Sequence, residues 1–339
     1  MSRKSIYLIL SVLTTLAVIS SILFGAVEIS LDVMLSAFSK LFHDADSMTL
    51  TERIFLEIRL PRAILTAIVG GSLAVGGVLM QGLFLNPIVE PGLVGTSSGA
   101  AFGAALYFTL GTTLNINAGE WTLPIAACMG GILATFLVFF LAENKRHRKT
   151  STIALLLIGI AINALFLSGV GFLSYIARDP QARSITFWNL GTLSGANWHS
   201  VILVGLSCLI CTGFGFRYAK QLNALMLGEQ EAGNLGVNIK TLKIKVLLVN
   251  VILVSIATAF TGVIAFIGLV VPHLLRIIKG SDTRYLLTGS LLMGALILSI
   301  ADILARLILA PAELPIGIVT TIVGVPVFIY ILRKNEYYF

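Results

Sequence analysis

Long uncharged apolar runs alternate with short charged connections along the chain from Ile6 to Leu332. Each run is about as long as a bilayer is thick, because a hydrocarbon core of about 30 Å needs about 20 helical residues to cross it. Within that core the backbone must satisfy its own hydrogen bonds, which a helix does locally. The pattern therefore predicts an all-α polytopic membrane protein.

Ten spans are predicted when the uncharged stretches are divided at clusters of glycine, proline and polar residues. These spans are 6–27, 63–82, 92–108, 121–142, 151–175, 197–216, 242–262, 267–278, 285–305 and 314–332. The first run follows Arg3 and Lys4, but it is longer than the core of a secretory signal, so we expect it to remain as a span. The connection from Arg217 to Lys245 is too short for a soluble domain. One membrane domain over 1–339 is therefore predicted.

Composition agrees with this interpretation. With 57% hydrophobic residues, 12% charged residues and a mean hydropathy of +0.97, the chain has too little polar surface for a water-soluble protein of 339 residues. Its cysteines, Cys128, Cys208 and Cys211, lie inside apolar runs without metal-ligand spacing and are interpreted as packing residues. No metal site is predicted.

The distribution of basic residues predicts the orientation. With the N-terminus inside the cell, 16 Lys and Arg residues fall in cytoplasmic segments and 7 fall on the outer side. Short cytoplasmic loops of membrane proteins carry such an excess of positive charge. Ten spans then place both termini in the cytoplasm.

Two predicted spans are short for a crossing: 92–108, which is rich in glycine, and 267–278, which Pro272 interrupts. If the chain consists of two five-helix halves of opposite orientation, each of these spans is the third helix of its half. Matched short or broken helices in inverted halves are typical of a transport pathway. The alternative is that Pro272 and the glycines only kink ordinary helices.

The chain lacks the chemistry of an enzyme or an ion-coupled pump. The predicted spans hold almost no ionisable side chain at mid-membrane, where proton or sodium coupling needs one. Asp302 and Arg306 stand four residues apart near an outer helix end and are expected to pair. Neither a P-loop nor a hydrolase motif occurs in the sequence. We therefore expect no catalytic residue and an energy source outside this chain.

Two surfaces are candidates for partner contacts. In the inner connection 221–238, Leu225 and Met226 lie on one face of a predicted short helix that Gly228 ends, and a second short helix begins at Glu229. Its polar residues are Gln, Asn and Glu, which suits a protein partner, whereas a helix resting on lipid usually carries Lys and Arg. On the outer side Arg59, Arg62 and Arg306 are either anchors at the membrane edge or contacts for carboxylates of an external protein.

Five runs in one order resemble the FecCD family of ABC importer permeases over essentially the whole chain. They are Arg59–Arg62, Asn86–Gly95, Leu227–Val237, Phe266–His273 and Glu313–Gly317. The resemblance implies a type II ABC importer permease with about ten transmembrane helices in two inverted five-helix halves, located in the bacterial cytoplasmic (inner) membrane.

The resemblance also implies the partners and the cargo. The expected partners are a second permease copy, two cytoplasmic ATPase subunits that bind ATP and Mg, an external or periplasmic substrate-binding protein and membrane lipid, with no nucleic acid and no cofactor in this subunit. The cargo is expected to be an iron-siderophore chelate, haem or cobalamin. A short likeness of Gln181–Arg183 and Thr186–Trp188 to haem-type members favours an iron compound.

Three groups of site residues follow from the resemblance. Contact with the ATPase is expected at Asn223, Leu225, Met226, Gly228, Glu229, Glu231, Leu235 and Gly236. Docking of the binding protein is expected at Arg59, Arg62 and Arg306. The translocation pathway or its gate is expected at Asn86, Pro87, Pro91, Thr150, Ser151, Thr152 and Pro272. The alternative functions are an ion-coupled secondary transporter or channel that works alone, and a structural membrane scaffold.

Overall fold

The computed structural model describes residues 2–25, 29–43, 47–111, 119–144, 149–150 and 152–334. The α-helices within them are α1 (Arg3–Leu23), α2 (Leu31–His43), α3 (Leu50–Ile54), α4 (Leu60–Phe84), α5 (Thr96–Leu110), α6 (Thr122–Ala142), α7 (Thr152–Ile176), α8 (Asp179–Asn189), α9 (Trp198–Leu225), α10 (Glu229–Asn234), α11 (Ile239–Thr261), α12 (Ile267–Lys279), α13 (Thr283–Leu307) and α14 (Ile316–Lys334). Two-residue strands, β1 (Glu143–Asn144) and β2 (Lys149–Thr150), pair antiparallel between α6 and α7.

Each of the ten predicted stretches contains a helix, in the order α1, α4, α5, α6, α7, α9, α11, α12, α13 and α14. Among the described residues, seven helices are long and apolar enough to cross a membrane: α1, the continuous helix Leu50–Phe84, α6, α7, α9, α11 and α13. The third helix of each half is short, with 15 residues in α5 and 13 in α12. The chain is thus an all-helical, multi-pass membrane protein.

Contacts between helices repeat from one half to the other. Helix α4 packs on α13 as α11 packs on α6, and α12 packs on α4 as α5 packs on α11. The third helix packs on the fourth in both halves, α5 on α6 and α12 on α13. Only the first helices differ, since α1 packs mainly on α13 whereas α9 packs on α4, α11 and α13. This is the contact pattern of two inverted five-helix halves.

The bundle has two distinct ends. At the end that we name the α8 end, Trp198 Nε1 donates to Leu56 O (3.1 Å) and Arg306 donates to Phe24 O (2.9 Å). At the opposite end, named the α10 end, the Arg3 guanidinium pairs with Asp282 at 3.1 Å. Helix α4 runs through the centre of the bundle from one end to the other. In the most apolar 18-residue stretch of the helix Leu50–Phe84, 83% of the residues are buried.

The structure differs from the sequence prediction before the second span. The helix that contains 63–82 already begins at Leu50 and has 35 residues, about 52 Å of helix. A π-helical turn, Phe55–Arg59, joins α3 to α4. Helix α2 lies outside the predicted spans, and its Phe38 packs edge-on against Phe55, with 5.5 Å between the ring centroids, beside the start of this long helix.

Candidate translocation pathway and its contact surfaces

Two broken helices meet inside the bundle. Helix α4 ends at Leu85, which adopts the left-handed conformation (φ 52°), and the chain runs through a 3-10 turn, Pro91–Val94, into α5. Helix α11 ends at Thr261, and Phe266, also left-handed (φ 69°), precedes α12. The two breaks touch, because the Phe266 N–H donates to Glu90 Oε1 at 3.0 Å. We name the segments 85–95 and 262–267 together the crossing.

Pro272 leaves a gap in the hydrogen bonding of α12 that α4 fills. Proline has no N–H, so the carbonyl oxygen of Gly268, four residues earlier, has no donor from its own helix. The Gln81 Nε2 of α4 donates to Gly268 O at 3.3 Å and to Leu269 O at 3.2 Å. Gln81 is 2% exposed, and its Nε2 makes both of these bonds, whereas its Oε1 has no hydrogen-bond partner among the described residues.

Two further amides hold the 3-10 turn of the crossing from different helices. Asn250 of α11 donates through Nδ2 to Pro91 O at 3.4 Å. Asn163 of α7 donates through Nδ2 to Leu93 O at 2.9 Å, and its Oδ1 accepts from the Ser98 hydroxyl. One short turn is therefore bonded to both α11 and α7.

The predicted pathway residues fall in two places. Asn86, Pro87, Pro91 and Pro272 all belong to the crossing or to the helix that leaves it, and Asn86 Oδ1 accepts from the Ile88 N–H at 3.0 Å. Thr150 lies in β2 and Thr152 opens α7, both at the α10 end, whereas Ser151 lies outside the described residues. The gate assignment of all seven residues stays a prediction.

The α10 end presents an apolar surface rimmed by polar side chains. Met226, Leu227 and Leu235 are 44%, 67% and 65% exposed, and they follow or flank the short helix α10. Glu231 is exposed beside them. Gly228 and Gly236 bound α10 with positive φ angles of 109° and 84°, which fit glycine and set the direction of the helix.

Within this surface an ion pair ties α10 to α11. Glu229 Oε1 lies 2.7 Å from Lys243 Nζ, and the side chains are 50% and 5% exposed. A buried ammonium needs such a partner, because removing it from water without compensation is costly. Displacement of α10 is thereby connected to α11.

The start of α13 is fixed at the same end. Asn223 Oδ1 accepts from the Thr283 N–H at 2.9 Å, so this side chain caps α13. Asp282 is the other cap: partial burial raises its pKa, but the N–H groups of Tyr285 and Arg284 and the guanidinium of Arg3 outweigh burial and hold the pKa below its ordinary value.

The structure differs from the expected coupling surface at two residues. The first of the two predicted short helices is the last turn of α9, which continues to Leu225. Leu225 is fully buried and Asn223 faces α13, so neither side chain lies on the exposed surface. Periodicity indicates an apolar face, and Leu225 of that face packs inward because this helix is part of a long span, whereas Met226 stays exposed.

The arginines at the α8 end form a buried cluster with two acids. Arg62 and Arg306 both pair with Asp302, at 2.9 Å and 3.0 Å, which confirms the predicted pairing of Asp302 with Arg306. Arg62 also pairs with Glu313 at 2.9 Å. Arg59 donates to Phe24 O at 2.7 Å. We name these five residues the arginine cluster.

Burial limits what the arginine cluster can contact as it stands. Arg59, Arg62 and Arg306 are only 7%, 9% and 6% exposed. Their docking role stays a prediction, and in this conformation their guanidinium groups bond within the chain. Glu313, whose side chain is 43% exposed, is the accessible member of the cluster.

Sequence reasoning missed several of these side chains. Lys243 was not predicted as a site residue because it lies among other lysines at the start of α11. Gln81, Asn163 and Asn250 were not predicted either, although each is a polar residue inside an apolar run. That property is the signal that could have found them, because a polar side chain in a span normally has a partner. In the described residues no group of three or more His, Cys, Asp or Glu side chains could hold a metal ion.

The fold and these surfaces define a polytopic transport permease, and comparison with known proteins gives its family. The model of the FecCD transport family matches residues 13–334, so the chain belongs to this family. It is 45% identical to the hemin transport system permease protein HmuU of Yersinia pestis, with 84% of each chain covered. It is 39% identical to the cobalamin import system permease protein BtuC of Halobacterium salinarum, over 82% of this chain and 73% of that protein.

A solved structure has the same architecture. It is described as an inward-facing conformation of a metal-chelate type ABC transporter, and it is similar with a TM-score of 0.85 and 31% identity, over 98% of this chain and 100% of that chain. The agreement covers the whole length and includes both halves.

Proposed function

We propose that the chain is the membrane permease subunit of an ABC importer that carries an iron chelate, haem or cobalamin across the cytoplasmic membrane. The observation that carries the proposal is family membership over residues 13–334, together with relatives named for hemin and cobalamin transport. Among the cargos we favour haem, because the relative named for hemin transport is 45% identical and the one named for cobalamin import is 39% identical.

The α10 end is the proposed contact for a cytoplasmic ATPase subunit, which binds ATP and Mg. Its exposed apolar side chains, Met226, Leu227 and Leu235, stand beside glutamates, an arrangement typical of protein interfaces. The excess of basic residues at this end supports its cytoplasmic location and that of both termini.

A second copy of the chain is the proposed partner along the membrane. Helix α7 is among the least buried of the long helices, with Leu157, Leu165 and Phe172 each more than 60% exposed. Two such helices side by side would enclose a wide path lined by apolar and weakly polar groups, which suits a bulky chelate that must be released.

In the proposed mechanism, polar contacts between helices transmit movement from α10 to α7. ATP binding closes the ATPase dimer and moves α10, the Glu229–Lys243 ion pair carries the movement to α11, and Asn250 carries it to the 3-10 turn. Asn163 bonds the same turn to α7, so α7 tilts with it and exchanges inner for outer access. An external binding protein docks at the α8 end through the arginine cluster.

Reconstitution tests the proposal. The permease, co-purified with the ATPase encoded beside it, is placed in liposomes with the neighbouring binding protein, and uptake of haem, cobalamin and a ferric siderophore is measured with and without ATP. We expect ATP-dependent uptake of one of them. Accumulation against a gradient by the permease alone would instead support the ion-coupled alternative, and no ATP-dependent uptake with all partners present would support a scaffold.

A further inference from the structure

We propose that Glu313 occupies the edge of the Arg62 guanidinium at which a carboxylate of the external binding protein docks, so that docking displaces Glu313. The inference rests on the docking role proposed for the arginine cluster. It adds the residue that controls access to that contact, and it explains why an arginine proposed for docking is buried in the free permease.

The two edges of the Arg62 guanidinium have different partners. Nε and Nη2 donate to Asp302 Oδ1 at 3.1 Å and 2.9 Å, and the Asp302 side chain is 1% exposed. Nη1 donates to both carboxylate oxygens of Glu313 at 2.9 Å. Asp302 thus fixes one edge inside the bundle, whereas the other edge is covered by an acid that reaches solvent.

The other two arginines are bonded to backbone carbonyl groups at the end of α1. Arg306 donates to Phe24 O, to Ser21 O and to the Ser21 hydroxyl, all within 2.9 Å. Arg59 donates to Phe24 O and Ile22 O. Freeing these guanidinium groups would break their hydrogen bonds to the end of α1. An incoming carboxylate therefore displaces fewer bonds within the chain at Arg62.

The charge of the arginine cluster favours binding of an incoming carboxylate. Arg62 and Arg306 share the single carboxylate of Asp302, so these two guanidinium groups keep an uncompensated positive charge when Glu313 moves away. The incoming carboxylate can make the same charge-assisted bonds to Nη1 that Glu313 makes. The Glu313 side chain is 43% exposed, so water can solvate its carboxylate when it leaves Arg62.

The first measurement needs no partner. Phenylglyoxal reacts with accessible guanidinium groups, and peptide mass spectrometry reports the rate at Arg62. We expect Glu313→Gln to raise this rate at least about twofold, because the neutral amide holds Nη1 less tightly. Glu120→Gln is the matched control, an exposed acid near the same end that makes no contact with Arg62. An unchanged rate in Glu313→Gln would overturn the inference.

The second measurement uses the cargo-free binding protein encoded beside the permease, with affinity measured on permease in nanodiscs. Removing the competing carboxylate should tighten binding about 2- to 5-fold in Glu313→Gln, and more at low salt than at high salt. Glu120→Gln should leave the affinity nearly unchanged. A merely structural role for Glu313 predicts equal or weaker binding, which would contradict the inference.

Arg62→Lys separates this inference from the docking proposal. Lysine keeps a positive charge for Asp302 but cannot bond two carboxylates in the planar arrangement of arginine. If Arg62→Lys weakens binding while Glu313→Gln does not tighten it, docking at Arg62 stands and displacement of Glu313 is wrong. If Arg62→Lys leaves binding unchanged, the docking proposal itself fails. Thermal unfolding of each variant shows that the fold is intact.

Discussion

At the scale of single residues, a polar side chain inside the membrane can replace a hydrogen bond that the backbone has lost. Gln81 illustrates this, since its amide supplies the donor that Pro272 removes from Gly268. In hydrocarbon there is no water to replace such a donor, so an unsatisfied carbonyl is costly. The polar side chain and the helix break therefore depend on one another.

Gln81→Leu should lower the stability of the permease by about 1–3 kcal/mol, the cost of leaving a buried acceptor without its donor. Thermal unfolding in nanodiscs would measure the change. Gln221→Leu is the control, because Gln221 is an exposed glutamine on α9 and its replacement should have little effect. Equal unfolding temperatures for Gln81→Leu and the wild type would contradict the assignment.

The two acids of the arginine cluster should differ sharply. Asp302 is fully buried between two guanidinium groups, so Asp302→Asn leaves buried positive charge uncompensated and should cost about 3–5 kcal/mol. Glu313 is 43% exposed, so Glu313→Gln should cost less than about 1 kcal/mol. Unfolding temperatures of the two variants provide the comparison, and a larger loss in Glu313→Gln would contradict the burial argument.

At the scale of elements, glycine decides how closely α4 approaches its neighbours. A Cβ at Gly77 would overlap the carbonyl oxygen of Gly268 in α12, and one at Gly70 would overlap that of Gly294 in α13. Small residues permit such contacts between membrane helices, which pack without a hydrophobic driving force in lipid. The crossing depends on this approach, because Gln81 can reach α12 only from a helix that lies against it.

Gly77→Ala should separate α4 from α12 and lower stability by about 1–3 kcal/mol, the usual effect of overpacking. Gly82→Ala is a matched control on the same helix, since its nearest neighbour, Leu222 Cδ2, would lie 3.8 Å from the new Cβ. We expect the control to be neutral or slightly stabilising, because alanine favours helix. Similar unfolding temperatures for both variants would contradict the packing assignment.

At the scale of the whole molecule, polar contacts run from the α10 end to α7. They pass through Lys243 and Asn250 of α11, the 3-10 turn of the crossing, and Asn163 of α7. Each link is a bond between separate elements, so displacement of one can bias the next.

Lys243→Met should uncouple ATP hydrolysis from transport, because it removes the ion pair between α10 and α11 but keeps the aliphatic bulk of the side chain. In the reconstituted complex we expect more ATP hydrolysed per molecule of solute transported, with hydrolysis itself retained. Lys245→Met, an exposed neighbour on α11, should behave as the wild type. An unchanged ratio in Lys243→Met would remove this ion pair from the mechanism.

Interactions between residues close in the sequence could be predicted, whereas contacts between distant elements could not. The spans were predicted because hydrophobic length is a local property, and the short third helices were visible as short apolar runs. The pairing of Asp302 with Arg306 was predictable because helix geometry brings residues four apart together. The partners of Arg62 were not, since Glu313 lies 251 residues away in the sequence.

The same distinction explains why the coupling connection differs from its predicted structure. The spacing of Leu225 and Met226 predicts an apolar helix face. The spacing does not show whether that face packs against another protein or against other helices of the same chain. The structure shows that α9 carries this face into its own core, where Leu225 is buried, and leaves Met226 exposed.

The sequence by itself determined that this protein crosses the membrane about ten times, in two halves whose third helices are short, because a bilayer imposes its thickness on every apolar run. Its five motif runs also pointed to the FecCD family. Only the tertiary structure decided which polar side chains meet. Gln81 with Gly268, Asn163 with Leu93 and Arg62 with Glu313 are contacts between elements distant in the sequence, and close packing of separate helices creates them.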